Sequence, residues 1–243
     1  MISVIVPTMW KPPHMHRMLP MLDANRFIDE IILIDNAKEN ADQELLSKLT
    51  KLVYLPQESN IYVNPAWNLG AKTAKNDVLF ILNDDCLINI EHLESIYNET
   101  TPDKGMLGFS FLSYCTYTID KFKDFCNSGF GSEISFEVVD PANYPTRSGM
   151  SHPFYGSAFF IHKDSYYEIP SEFKIHYGDL YIFLSNLKAG KLSYTIEDGL
   201  VMTDYSTTVS LASKEILDHE ADIMKQVFAE HGLKNITYSI PGN

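Results

Sequence analysis

The sequence lacks long apolar runs and is poor in basic residues. Its 243 residues include 19 Lys and Arg against 32 Asp and Glu, a formal charge of −13. Nucleic acids and anionic membrane surfaces bind basic faces, so the composition argues against both as partners. No stretch reaches the roughly 20 apolar residues that cross a bilayer. The apolar start, residues 1–6, stops at Pro7, so we expect a soluble protein with no signal peptide and no membrane span.

Cysteine is scarce, and its spacing carries no metal-binding signal. Cys86, Cys115 and Cys126 are an odd set without the spacing of metal ligands. Such a set is typical of reduced thiols in a cytoplasmic protein, which is the expected location, and one disulfide stays open.

Several nucleotide-binding and catalytic motifs are also missing. The sequence has no Gly-X-X-X-X-Gly-Lys phosphate loop and no Gly-X-Ser-X-Gly elbow. It has no Gly-X-Gly-X-X-Gly after the first predicted strand either, which argues against a nicotinamide enzyme.

The first hundred residues alternate apolar strands with amphipathic helices. Asn64 and Pro65 are typical of a helix start, with Asn as the N-cap and Pro at the first helical position. Repeated βα units predict a mostly parallel α/β sheet with helices on both faces. We expect one domain over residues 1–243, with a nucleotide-binding half (1–100) and an acceptor-binding half (101–243). The predicted strands are 2–6, 30–34, 52–55, 77–82 and 155–161, and the predicted helices are 17–25, 41–51, 64–75, 179–189 and 213–231.

The most informative segment is the apolar strand that ends in Asn83, Asp84 and Asp85. Ligands of open α/β sheets bind at the carboxyl ends of the strands. Paired carboxylates suit Mg²⁺ or Mn²⁺, which commonly bridges protein oxygens to nucleotide phosphates. The alternative is an ordinary solvated turn, because Asn and Asp are common turn residues.

Two other strand ends are polar, at Pro7-Thr8 and at Asp35-Asn36. In a doubly wound sheet, the first and fourth strands are neighbours, so all three polar ends meet at one edge. Three polar ends together favour a ligand site over three unrelated turns.

At this point the sequence resembles the family-2-like glycosyltransferases of the GT-A fold, most of all the rhamnosyltransferase-type branch. Order and spacing match over about the first 90 residues and more loosely to about residue 205. The matching segments are Ser3-Val4-Ile5-Val6-Pro7-Thr8, Ile31-Ile32-Leu33-Ile34-Asp35-Asn36, Asn60-Ile61-Tyr62-Val63-Asn64-Pro65-Ala66-Trp67-Asn68-Leu69-Gly70 and Phe80-Ile81-Leu82-Asn83-Asp84-Asp85.

For the donor, the resemblance implies that the nucleoside is held at the first two strand ends. Asp35 would accept a hydrogen bond from the base or the ribose, with a loop cap as the alternative role. Asp85 would bind the Mn²⁺ or Mg²⁺ directly, and Asp84 would contact the ribose or reach the metal through water. Asn68 could equally serve helix packing, as could Gly70. The implied nucleotide-sugar-binding residues are Pro7, Thr8, Asp35, Asn60, Asn68, Asn83 and Asp84.

For the acceptor, the resemblance implies a small-residue strand at Gly156 and a general base at Asp179. Leu180 occupies the place of a second acid that the family usually has, and the alternative role for Asp179 is that of a first-turn helix acid. The family often completes its metal site with a His, and here the matching stretch offers Asp204 as the second metal residue, or as a plain surface acid.

The sequence thus predicts a metal-dependent glycosyltransferase that moves a sugar from a nucleotide-diphosphate sugar to a hydroxyl of a glycan or other acceptor. UDP- or dTDP-linked donors are favoured, and inversion follows if Asp179 is the base. The alternative is a non-catalytic carbohydrate- or nucleotide-binding protein on a degenerate version of the same fold.

Overall fold

The computed structural model describes residues 1–109, 114–115, 133–140, 155–199, 201–203 and 213–230. The described strands are β1 (Ile2–Thr8), β2 (Ile28–Asp35), β3 (Leu52–Pro56), β4 (Val78–Leu82), β5 (Cys86–Ile88), β6 (Met106–Phe109), β7 (Tyr114–Cys115), β8 (Ser135–Val138), β9 (Ala158–His162), β10 (Tyr194–Glu197) and β11 (Val201–Thr203). The described helices are α1 (Met15–Ala24), α2 (Gln43–Ser47), α3 (Val63–Thr73), α4 (Leu93–Glu99), α5 (Gly178–Lys188) and α6 (Lys214–Glu230).

Eight strands form one sheet, in the order β3-β2-β1-β4-β9-β6-β10-β8. Strand β1 pairs in parallel with β2 on one side and with β4 on the other. The prediction that the first and fourth strands are neighbours is therefore confirmed. Strand β9 continues the sheet antiparallel to β4, so strands from both halves of the chain share one sheet.

The sheet is covered on both faces, as the α/β prediction requires. Helices α1, α2 and α4 bury their apolar sides against one face, and α3, α5 and α6 bury theirs against the other. Strands β1 and β4 are buried along their whole length, which explains why their sequences are continuous apolar runs rather than alternating ones. No helix among the described residues is both long enough and apolar enough to span a membrane.

Several of the predicted boundaries were wrong, including the following three. Helix α3 begins at Val63 rather than after an Asn64 cap, because Asn64 lies inside the helix with its side chain fully buried. Residues 155–157 form a turn, so β9 begins only at Ala158. Helix α2 covers Gln43–Ser47 instead of residues 41–51.

Gly70 holds α3 close to the sheet. A Cβ atom at this position would lie 2.3 Å from Cγ2 of Ile5 in β1, a separation that side chains do not tolerate. Helix α3 therefore packs tightly against β1, and this packing fixes the N-terminal end of the helix near the end of that strand.

Candidate functional site

The site lies at the edge of the sheet where β1, β2 and β4 end, called here the carboxyl edge. The register pairs Thr8 with Asp35 across β1 and β2, and it pairs Ile5 with Ile81 across β1 and β4. Continued by three residues, the second pairing places Thr8 beside Asp84. The Thr8 hydroxyl indeed donates a hydrogen bond of 2.8 Å to Oδ2 of Asp84. The expected meeting of the three polar strand ends is therefore present.

A pocket opens at this edge and includes five of the residues expected to bind the donor. Asn60 and Tyr62 approach from the segment that leads into α3, and Asn83 and Asp84 come directly after β4. The pocket is lined by Pro7, Thr8, Met9, Lys11, Pro12, Asn36, Asn60, Tyr62, Val63, Asn83 and Asp84.

Lys11 was missed by the sequence analysis. It is the only Lys or Arg within residues 9–14, which follow β1, and it gives the pocket a positive charge in a strongly acidic protein. A basic residue placed just after a polar strand end was the signal that could have found it.

Asp84 sits in an electrostatically unfavourable position. Burial, together with the adjacent charge of Asp85, raises the pKa of Asp84 to about 7, even though the Thr8 hydroxyl and the Met9 N–H donate to it. Desolvation and a like charge both disfavour ionisation. A bound cation at this position would favour the ionised form.

The carboxylate of Asp35 is fully buried beneath Trp10. The Trp10 indole N–H donates to it at 2.8 Å, the Tyr54 hydroxyl at 2.7 Å and the Ala37 backbone N–H at 2.9 Å. Burial and this carboxylate raise the pKa of Tyr54 to about 12, so the phenol stays protonated and keeps donating. In this conformation Asp35 therefore accepts its hydrogen bonds from the protein itself. A nucleoside could reach it only if Trp10 moved.

Asp85 is oriented differently from Asp84. It is only 5% exposed, does not line the pocket, and accepts a contact of 3.5 Å from the Cys86 thiol. Asp204 lies outside the described residues. The nearest described residue before it, Thr203, pairs with Cys86, immediately after Asp85.

The residues at the end of β4 carry oxygen donors of the kind that a magnesium-like cation prefers. Asn83 has a buried Oδ1 with no hydrogen-bond partner among the described residues, and it directly precedes Asp84 and Asp85 in the sequence. Within the described ranges no group of three His, Cys, Asp or Glu forms a metal site. Mg²⁺ usually binds through one or two carboxylates and completes its shell with water and substrate phosphates, so two acids are sufficient.

Gly156, which the sequence predicts to lie on the acceptor side, adjoins this site. The Asn83 side chain donates to the carbonyl of Gly156 at 3.1 Å, and its backbone N–H donates to that of Ser157 at 2.9 Å. The turn at residues 155–157 is thereby held against the end of β4. The structure thus places Gly156 next to the pocket-lining Asn83, and its acceptor-side role stays a prediction.

Asp179 lies in the first turn of α5 and is half-buried. It does not line the pocket, but its charge acts on the buried Tyr155.

Asn68 is engaged in packing rather than facing the pocket. Its side chain donates to the carbonyl of Ile169 at 2.8 Å and accepts from the Ile169 N–H and the Tyr166 hydroxyl. Of the two roles open from the sequence, the structure supports the packing role.

Solved structures with the same fold include S. aureus TarS and GalNAc-T7. The S. aureus TarS 1-349 structure aligns with a TM-score of 0.64 at 16% sequence identity, covering 98% of this chain and 66% of that one. GalNAc-T7, in a crystal structure with UDP, GalNAc and Mn²⁺, aligns with a TM-score of 0.63 at 13% identity, covering 95% of this chain and 49% of that one. At such low identity these likenesses establish the GT-A fold alone.

The family of the chain follows from its sequence. No curated protein sequence matches significantly. Residues 3–129, more than half of the chain, match the family model described as glycosyl transferase family 2. This match confirms the family expected from the four sequence segments, and the chain belongs to glycosyl transferase family 2.

Proposed function

We propose that the protein transfers a sugar from a nucleotide-diphosphate sugar to a hydroxyl of a glycan or another acceptor, with the help of Mn²⁺ or Mg²⁺. The observation that carries this proposal is the pocket at the carboxyl edge, where the pocket-lining Asp84 and Lys11 flank the end of β1. Acids that hold a cation and a lysine that faces an anion are the groups that a diphosphate needs.

A uridine diphosphate donor has the most support. TarS has been crystallised with UDP and with UDP-GlcNAc, and GalNAc-T7 with UDP and Mn²⁺. These proteins share the fold of this chain, so UDP is the first nucleotide to test, with dTDP next.

Each residue of the site has its own role in this proposal. Asp84 and Asp85, with the Asn83 amide oxygen, would hold the cation, which stabilises charge on the leaving diphosphate. Lys11 adds a fixed positive charge at the pocket. Asp179 removes the proton of the attacking hydroxyl, and single displacement with inversion follows from that role.

The direct test is a thermal-shift panel with UDP, dTDP and GDP, each with and without Mn²⁺, followed by titration of the nucleotide that stabilises best. Metal-dependent stabilisation by one nucleotide, with hydrolysis or transfer of the matching nucleotide sugar, supports the enzyme. Metal-dependent binding without turnover of any donor supports the non-catalytic alternative instead.

The first variant to compare in this panel is Lys11→Ala. We expect it to weaken UDP binding by about tenfold and uridine binding hardly at all, because only UDP carries the diphosphate that a lysine attracts. Lys72→Ala is the matched control, since Lys72 is exposed on α3 and does not line the pocket. Equal losses for UDP and uridine would contradict a phosphate contact.

Asp84→Asn should change the pH dependence of stability in metal-free protein. With a pKa raised from 3.8 to about 7, folded Asp84 keeps its proton longer than the unfolded chain does. Its contribution to stability is therefore complete below the unfolded pKa of 3.8. It is lost as the pH rises from there through the folded pKa of about 7.

In EDTA, the melting temperature of Asp84→Asn should consequently rise relative to that of the parent as the pH increases from about 4 to about 7, and the difference should level off above that. Asp77→Asn is the control, because Asp77 is exposed just before β4. A relative change of the same size in both variants would show that Asp84 is not the group responsible.

Trp10 should report nucleotide binding. The protein has two tryptophans, so Trp67→Phe leaves Trp10 alone and Trp10→Phe leaves the core residue Trp67. If the nucleoside reaches Asp35, the indole must leave its hydrogen bond, and the emission of the Trp67→Phe protein should change saturably with UDP and Mn²⁺. The emission of the Trp10→Phe protein should stay constant. Calorimetric binding with unchanged Trp10 emission would place the nucleoside elsewhere.

Asp179→Asn tests the general base. The amide keeps the shape of the carboxylate but cannot take a proton, so donor affinity should persist while transfer falls by roughly 10²–10⁴-fold. The measurement is transfer of labelled sugar to an acceptor found by screening, beside UDP titration of the same variant. Glu172→Gln, at an exposed acid nearby, is the control. Transfer within a few-fold of the parent would reject Asp179 as the base.

A further inference from the structure

One buried acid of the C-terminal helix is not used by the function proposed above. Glu220 in α6 has no solvent exposure, although a buried carboxylate is costly unless it is well hydrogen-bonded. It accepts three backbone N–H bonds: from Lys174 at 2.6 Å, Ile175 at 2.9 Å and His176 at 2.7 Å. Three consecutive amides thus converge on a single side chain.

The segment that Glu220 holds, residues 174–176, contacts the start of α3. Its carbonyls accept from Asn64, at 3.1 Å from the backbone N–H to Lys174 and at 2.9 Å from the side chain to His176. The Lys174 ammonium lies 5.3 Å from the centre of the Tyr62 ring. Tyr62 lines the pocket, so the 174–176 segment supports one wall of the donor pocket.

The same segment leads directly into α5. Tyr177 has a φ of 62°, in the left-handed region, and Gly178 follows as the first residue of the helix. A Cβ atom on Gly178 would lie 2.2 Å from the Asn64 amide oxygen, so the helix start is pressed against α3. Asp179 is the next residue, and its position depends on how the 174–176 segment is held.

We propose that Glu220 is a positioning residue which, by binding the amides of residues 174–176, fixes both the Tyr62 wall of the donor pocket and the first turn of α5. The inference rests on the proposed function, because it assigns the pocket to a nucleotide. Helix α6 would then help to shape the site, although none of its residues lines the pocket.

The test compares Glu220→Ala and Glu220→Gln in the full chain, with Asp218→Asn as the control. Asp218 is an exposed acid on the same helix, so its variant removes a like charge without touching the 174–176 segment. The affinity for UDP with Mn²⁺ is measured by calorimetry well below the melting temperature of every variant, with folding checked by circular dichroism. Hydrogen exchange of the peptide that covers residues 173–178 is measured in parallel.

Glu220→Ala should weaken UDP binding by about tenfold or more and speed exchange in that peptide, because three amides lose their acceptor. Glu220→Gln should fall between the Ala variant and the parent. Its oxygen can still accept from Lys174 and Ile175, but its NH₂ group opposes the His176 N–H. If the Ala variant does not fold, the Gln variant and the control decide the question.

The outcomes separate the two proposals. A role in stability alone would lower the melting temperature and leave the affinity of the folded protein unchanged. Affinity within twofold of the parent in a folded Ala or Gln variant would therefore overturn the positioning role and leave the proposed function standing. If the parent itself binds none of UDP, dTDP or GDP with Mn²⁺, the proposed function fails and this inference falls with it.

Discussion

The parallel register of β1 between β2 and β4 is the constraint on which the site depends. Because side chains alternate along a strand, a slip of one residue would turn every side chain of β1 to the other face. Both faces of β1 are buried, by α1 on one side and α3 on the other, and Gly70 of α3 leaves no space for adjustment against Ile5. The hydrogen bond from Thr8 to Asp84 therefore forms where packing places it, and the pocket opens around it.

The sequence predicted those parts of the fold that depend on apolar pattern. Strand β4 could be predicted because five apolar residues are followed at once by Asn83, Asp84 and Asp85, and a parallel neighbour for β1 follows from repeated βα units. Asp35 shows where this reasoning ends. Its place at the end of β2 was predictable, but its burial beneath Trp10 depends on a left-handed φ of 59° in the loop after β1. No periodicity signals that conformation.

The roles of amide side chains could not be predicted from the sequence either. Asn60, Asn64 and Asn68 lie in one segment and offer the same donors and acceptors, so residue type alone cannot separate a ligand contact from a structural one. The structure separates them by what lies opposite. Asn60 lines the pocket, whereas Asn64 and Asn68 hold backbone more than 100 residues away in the sequence, at His176 and Ile169. Long-range partners of this kind, like the hydrogen bonds from the amides of residues 174–176 to Glu220, cannot be predicted from the sequence pattern.

Locally unfavourable features gather around this site. Four non-glycine residues in the described part of the chain have a positive φ; Trp10 and Tyr62 flank the pocket, and Tyr177 precedes the turn that carries Asp179. Each such conformation costs on the order of 1–3 kcal/mol and persists only where the surrounding structure imposes it. The raised pKa of Asp84 adds an electrostatic cost at the same place. A core that served stability alone would not concentrate strain and like charges at one edge, whereas a cation and a diphosphate would relieve the repulsion there. The location of these costs is therefore an argument for a ligand site that does not depend on the family resemblance.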